Sequence, residues 1–557
     1  MTGSRWKKFL TILGMVLALN FIFFTFVSAK DLDMVMKKGA IHPKLSSHLW
    51  ELEKEYEMGA MAAQEYAQSR NLKIEYPDKI TVYIISEPGT IFDETSLQAY
   101  GVEIIKASDN VWKAKAPINM LEAIADNVKG VSFIKLPDRA MASAIESEGV
   151  GLTGASAYHS AGYAGSGVKV AVIDLGFEGL STAISHGEVS NTAITVDCTG
   201  SSCVSTDFST ETDFHGTAVA EVVHDMAPEA ELYLIKVYDT LDLRDAKNYA
   251  IGNGIKIINH SVTYPNTNFS GGECYYFNAT CTANDAYSKG ILWVNAMGNW
   301  ANRHYGATFT DPDGDGFHNV AGDDETINIE ASAGDLIDVY LTWDAWPATD
   351  QDYDLGLFDS NINLVASSED YQTGTQPPTE AIYYSVLATG TYHLKIRKYS
   401  ATSDHRLAVF SYYHNLDPAT ASNSLVSPAD ATGVMAVGAI DYENWTTGPQ
   451  ESFSSRGPTS DGRTKPEICG PDNVANYGYG RFLGTSAASP HVAGAAALIL
   501  SCRRAYSVSQ LWDALISSAL DMGSSGQDNI YGYGRLDLPP VRKPIISPWL
   551  PLLLLDD

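Results

Sequence analysis

Five stretches of this chain are nearly unbroken apolar runs rich in β-branched residues: 168–173, 232–237, 255–258, 291–294 and 434–440. A strand with one wet face must alternate apolar and polar residues, and these do not. They read as strands buried on both faces, the mark of a parallel sheet covered by helices on each side. The predicted class is therefore α/β. Three of the runs lead into polar groups. Asp174 closes the first, Ser261, Val262 and Thr263 follow the third, and Gly298 and Asn299 follow the fourth. Open α/β sheets place their ligands and chemistry at such strand ends.

A second feature supplies a nucleophile. Gly484-Thr485-Ser486-Ala487-Ala488-Ser489-Pro490-His491-Val492-Ala493-Gly494 reads as the start of a buried helix. Its small residues let neighbours approach closely, and Pro490 is expected in the first turn, where a missing N–H costs nothing. Ser486 would then stand at the helix N-terminus, among unpaired amides that favour developing negative charge. A serine alone in that setting is an ordinary N-cap. Asp213-Phe214-His215-Gly216-Thr217 sets a His at the start of another helix, able to face both a strand-end acid and a helix-start serine. Asp174 is such an acid, though an acid closing a strand is as readily a structural cap.

The motif around Ser486 resembles the serine motif of the subtilisin-like serine proteases, and the chain order Asp174, His215, Ser486 is that family's order. The resemblance implies a subtilisin-like parallel sheet flanked by helices and hydrolysis of protein or peptide substrates through an acyl-enzyme. It also implies an oxyanion donor at Asn299, in Gly298-Asn299, and a substrate-binding edge at Ser261-Val262-Thr263. The family commonly has Gly where this chain has Thr263, which narrows the pocket for the residue before the scissile bond, and Trp300 is bulky so near it. A second His usual in the histidine motif is Ala218 here; that position is not catalytic.

Composition limits the setting. There are 67 acidic and 37 basic residues, a formal charge of −30, which argues against a nucleic-acid partner. The N-terminus has Arg5, Lys7 and Lys8, an apolar run, and small residues Ser28 and Ala29: a secretory signal peptide over 1–29, with an uncleaved membrane anchor as the alternative. Export makes six cysteines a disulfide question. Cys198 with Cys203 and Cys274 with Cys281 are close enough to staple loops. Cys469 and Cys502 either pair or stay as thiols.

The remaining boundaries follow from pattern. Residues 30–145 show a strand–helix–strand–strand–helix–strand order, a ferredoxin-like signature. By resemblance this is a propeptide, the enzyme's own partner until it is cut away within 138–149; a permanent N-terminal domain is the alternative. The catalytic part is expected in two pieces, 146–304 and 421–540. Between them, 305–420 carries short alternating strands with Gly, Pro, Asn and Asp punctuation, which suggests an inserted β-sandwich. It opens on Asp311, Asp313 and Asp315, alternate carboxylates with Gly turns, a candidate calcium loop beside the reading as a solvated acidic turn. Asp350, Asp352 and Asp354 form a second acidic group. N-glycosylation sequons begin at Asn259, Asn268, Asn278 and Asn444, and residues 541–557 form an apolar tail. The reading is a secreted, self-processed serine endopeptidase. Its rivals are a catalytically silent binding protein on the same scaffold and an esterase or transacylase using the same three residues.

Overall fold

The computed structural model describes residues 42–70, 72–75, 78–87, 94–138, 141–142 and 149–541. The expected signal segment, most of the expected cut segment and the tail from 542 lie outside these. Helices Ser47–Met58 and Ala60–Ser69 pack on an antiparallel sheet of β1 (Ile74–Glu75), β2 (Lys79–Ser86), β3 (Glu103–Ser108), β4 (Val111–Pro117) and β5 (Val131–Lys135). Strand β2 lies between β4 and β5, and β4 between β2 and β3, with every pairing antiparallel. With helices Glu94–Gln98 and Leu121–Asn127 in the connections, this is the ferredoxin-like order.

Alternation along β2 divides its contacts, as a period of two requires. Val82 and Ile84 join the core under the unit's own helices. Tyr83 and Ile85 face the other way and pack with Leu241, at the start of helix Thr240–Gly252. Buried ion pairs tie the same face down: Lys113 to Asp239 at 2.7 Å, and Lys106 to Asp242 at 2.7 Å and Asp245 at 3.0 Å. Beyond the sheet, β6 (Met141–Ala142) pairs elsewhere, as described below.

The central sheet contains β7 (Lys169–Asp174), β8 (Ile194–Asp197), β9 (Val204–Ser205), β10 (Glu231–Lys236), β11 (Ile257–His260) and β13 (Leu292–Ala296), with β12 (Val262–Thr263) continuing past the end of β11. It is completed by β22 (Val434–Asp441) and β23 (Ile468–Asp472), in the order β23-β22-β13-β11-β7-β10-β8-β9. All neighbours are parallel except β8 and β9. The unbroken apolar runs have the expected cause: Val170 and Val172 of β7 enter one core, Ala171 and Ile173 the other. Helices His215–Met226 and Thr485–Cys502 share the first face.

Between β13 and β22 the chain builds two four-stranded antiparallel sheets. One has the order β14-β21-β16-β19, from His304–Thr308, Arg406–Ser411, Leu336–Trp343 and Thr379–Ser385. The other has β15-β20-β17-β18, from Ile327–Ala331, Gly390–Ser400, Asp352–Phe358 and Leu364–Ser368. They enclose a common core that includes Ile329, Val339, Leu341, Leu355, Leu394 and Val409. The outer face of the first sheet presents Tyr340 and Phe410 to Trp300 and Val426. A hairpin of β24 (Val474–Asn476) and β25 (Gly480–Phe482) precedes the long helix.

Disulfides join Cys198 to Cys203 and Cys274 to Cys281, while Cys469 and Cys502 are free thiols. Three sequon asparagines are buried with their amides engaged. Asn259 donates to Ser261 Oγ, Asn268 to Asp430, and Asn278 caps helix Ala279–Ser288. Asn444 is exposed. Among the described residues no helix is long and apolar enough to cross a membrane.

Candidate active site

The site forms where three adjacent parallel strands stop level with one another. His260 of β11 is in register with Ile173 of β7 and with Asn295 of β13, so Asp174, Ser261 and the 298–299 turn emerge at the same edge. Asp174 is fully buried. Its Oδ1 accepts from His215 Nδ1 at 2.7 Å and from the Leu175 N–H at 2.8 Å. A carboxylate only accepts, so the His215 proton sits on Nδ1 and Nε2 is the basic nitrogen. Burial pushes the Asp174 carboxyl up from its ordinary value, and the adjacent His215 pulls it back.

His215 can reach Asp174 because Gly216 follows it. A Cβ on Gly216 would fall 2.5 Å from the Gly176 carbonyl oxygen and 2.8 Å from Asp174 Cβ. Only glycine lets the start of this helix sit on the strand end. The Asp213 carboxylate accepts from the His215 N–H at 2.9 Å, and Phe482 lies edge-on to the ring at 5.6 Å.

Ser486 is the second residue of its helix, and here the expectation for Pro490 needs correction. The helix starts at Thr485, so Pro490 lies beyond the first turn. Proline has no N–H to give the carbonyl four residues back, which is that of Ser486. Ser261 Oγ donates to that carbonyl instead, at 3.2 Å. Ser261 Oγ is also 2.9 Å from Ser489 Oγ, and the Asn259 amide donates to it at 3.1 Å. In return Ser486 Oγ donates to the Ser261 carbonyl at 3.2 Å. The proline thus frees a carbonyl that fastens the Ser486 helix to the β11–β12 edge.

Asn299 is oriented by a clamp that the sequence did not announce. Its Oδ1 accepts from the Thr485 N–H at 3.0 Å and from Thr485 Oγ1 at 2.9 Å, while Thr485 Oγ1 accepts from the Gly298 N–H at 3.0 Å. With its oxygen accepting twice, the amide keeps its NH₂ as the donor end. Thr485 was legible only as part of the serine motif. Asp472 supports the same loop: its buried carboxyl accepts from the Gly484 N–H, and burial pushes it up to about 8. His260 lies beneath the site as a neutral ring, pushed down to about 4 by burial, with Nδ1–H donating to the Ile173 carbonyl at 2.7 Å.

The edge carrying Val262 and Thr263 is already paired. Strand β6 lies antiparallel to it, with Val262 opposite Ala142 and Thr263 opposite Met141. The acidic group at Asp311, Asp313 and Asp315 is separate, on an exposed turn, with one oxygen of each within 4.8 Å of the others. Both Asp311 oxygens accept backbone N–H groups, from Gly314 and Gly316. The cluster has hard-oxygen chemistry, and the turn is also satisfied by its own backbone. Asp352 and Asp354, by contrast, are buried in β17.

The family model described as the Subtilase family matches residues 165–340 and 362–534. The break in that match is narrower than the 305–420 segment expected from the strand pattern. The chain is 39% identical over 111 residues to a subtilisin of Bacillus pumilus, covering 20% of this chain and 38% of that protein. It is 38% identical over 111 residues to subtilisin E of Bacillus subtilis, covering 20% and 27% respectively. An extracellular serine protease of Serratia marcescens is 41% identical over 63 residues, 11% of this chain and 6% of that protein. The matched stretch therefore spans less than two fifths of these relatives' own length. Among solved structures, the CspB protease of Clostridium perfringens superposes with a TM-score of 0.50 at 17% identity, covering 69% of this chain and 95% of that one. That likeness is one of fold.

Proposed function

The chain belongs to the subtilase family, and on that premise we propose that it is a secreted serine endopeptidase, made as a zymogen, acting through Asp174, His215 and Ser486. The observation that carries the proposal is the meeting, at one sheet edge, of the 2.7 Å Asp174–His215 bond, the Ser486 hydroxyl and the clamped Asn299 amide. Ser486 Oγ attacks the scissile carbonyl carbon as His215 Nε2 takes its proton. The carbonyl oxygen becomes an oxyanion, held by the Asn299 amide and the Ser486 N–H. Collapse breaks the C–N bond, and His215 gives its proton to the leaving amine. Water then attacks the acyl-enzyme by the same route, returning the acid product and free Ser486. Asp174 keeps the imidazole oriented and stabilises its cation.

The pairing of β6 with β12 supports the reading of the N-terminal unit as a propeptide, because it lays that segment along the substrate edge. Ser486 Oγ faces the Ser261 carbonyl, one residue before Val262, and Ser143 is one residue after Ala142. We therefore place the processing cut after Ser143. Calcium at Asp311, Asp313 and Asp315 belongs to the same proposal as a structural ion with no part in the chemistry. Intact masses of wild type and Ser486→Ala, produced side by side, test the scheme. Wild type should lose the chain up to Ser143 while Ser486→Ala keeps it. Identical cutting of both would contradict self-processing.

A further inference from the structure

Immediately after the oxyanion donor stands a large side chain whose position the catalytic steps do not require. Trp300 is buried, at 3% exposure. Its indole lies against the backbone of Gly298: a Cβ built there would fall 2.5 Å from Trp300 Cδ1 and 2.8 Å from Nε1. Gly298 has φ +102°, a conformation that by itself favours glycine. Behind the ring are Val426, Tyr340 and Phe410, the last edge-on at 5.6 Å. The antiparallel sheets thus hold an indole against the backbone of the Gly298–Asn299 turn. Strand β12 carries Thr263, which is fully buried. On the endopeptidase reading, the side chain preceding the scissile bond enters beside Ser486, between that turn and β12.

We propose that this slot accepts only small side chains before the scissile bond, namely glycine, alanine and serine, with serine preferred. The inference rests on the endopeptidase reading and specifies its substrate class. Steric closure follows from the indole on one side and a β-branched residue on the other. The preference for serine follows from two orphaned polar atoms. Thr263 Oγ1 and Trp300 Nε1 are buried, and neither has a hydrogen-bond partner among the described residues. A buried polar group without a partner is costly. A serine hydroxyl can accept from the indole N–H and share a hydrogen bond with the threonine, whereas a Leu or Phe side chain can do neither. Ser143, at the proposed processing site, is such a residue.

The test is a set of peptides of fixed sequence with Gly, Ala, Ser, Leu, Phe or Arg before the cleaved bond, with kcat/KM measured for the full chain after processing. Ser and Ala should exceed Leu and Phe by about 10²-fold or more, the scale on which pockets discriminate by fit. Trp300→Ala should raise the Phe-to-Ser ratio at least about tenfold. Because Trp300 also anchors the antiparallel sheets, Thr263→Gly, which opens the opposite wall, should shift the ratio in the same direction. Wild type cutting after Phe or Leu as readily as after Ser would overturn the inference while leaving the endopeptidase reading intact. No cleavage of any peptide, with no labelling by an active-serine phosphonate, would overturn that reading and this inference with it.

Discussion

The central parallel sheet and the paired antiparallel sheets solve the same problem, burying apolar area, in opposite ways. Strands β7, β11 and β13 are buried on both faces, so their side chains have no room for chemistry along their length. Reactive groups appear only where the strands stop. Strand β19 instead alternates half-buried and buried residues, giving one face to its own core and the other to a neighbour. In the first sheet that outer face is aromatic and meets Trp300. The parallel region thus concentrates polar groups at an edge, and the antiparallel region supplies a shaped surface behind it. On the proposed reading the difference teaches that rate and selectivity are separable, since they would arise from different layers of the molecule.

The sharpest way to break that separation is at the parallel sheet's edge. Ser486→Ala should lower kcat by roughly 10⁶-fold, the loss known for the nucleophile of subtilisin itself. Its thermal stability should change little, since about 1 kcal/mol is at stake in the hydrogen bond to Ser261. Peptidase assay and thermal melting would check both. Asn299→Ala should cost about 10²–10³ in kcat with little change in KM, again a magnitude taken from subtilisin. Equal loss in binding would mean that the amide serves the ground state.

The antiparallel side should answer differently. Phe410→Ala removes a ring behind Trp300 and should destabilise by about 3–5 kcal/mol. It should also raise the Phe-to-Ser cleavage ratio severalfold, with kcat for the serine peptide much less affected than in Asn299→Ala. A rate collapse without a change in ratio would show that the two layers are not separable. The last effect, on the pH dependence of stability and not on cleavage, is expected at Asp472. Burial holds its folded value at about 8, above the ordinary carboxylate value. Its stability contribution is therefore present at low pH and lost as pH rises through about 8. Asp472→Asn should flatten the fall in melting temperature between pH 5 and 8. It should not abolish that fall, because Glu221 is also pushed up to about 8 by burial.

Much of this was readable from the chain because it is local. Unbroken apolar runs give parallel strands, and Asp174, His215 and Ser486 lie in short motifs whose residue types carry their own chemistry. The ferredoxin-like order was legible from the succession of alternating strand-like stretches and stretches of helical composition and spacing. What escaped depends on partners distant in sequence. Pro490 looked like a first-turn residue, and its role emerges only with Ser261, which takes over the carbonyl that the proline leaves unpaired. Trp300 looked merely bulky, since nothing near it in sequence reveals that Phe410 and Tyr340 lie behind it. The sequons at Asn268 and Asn278 had the surface pattern, yet both amides are spent inside the fold.

The most direct test of the central claim is covalent labelling of the processed wild-type chain with an active-serine phosphonate, followed by peptide mapping. The account predicts one adduct per chain, on Ser486, lost in His215→Ala because the hydroxyl then has no base. An adduct on another residue, or none on a chain that still hydrolyses peptides, would contradict it.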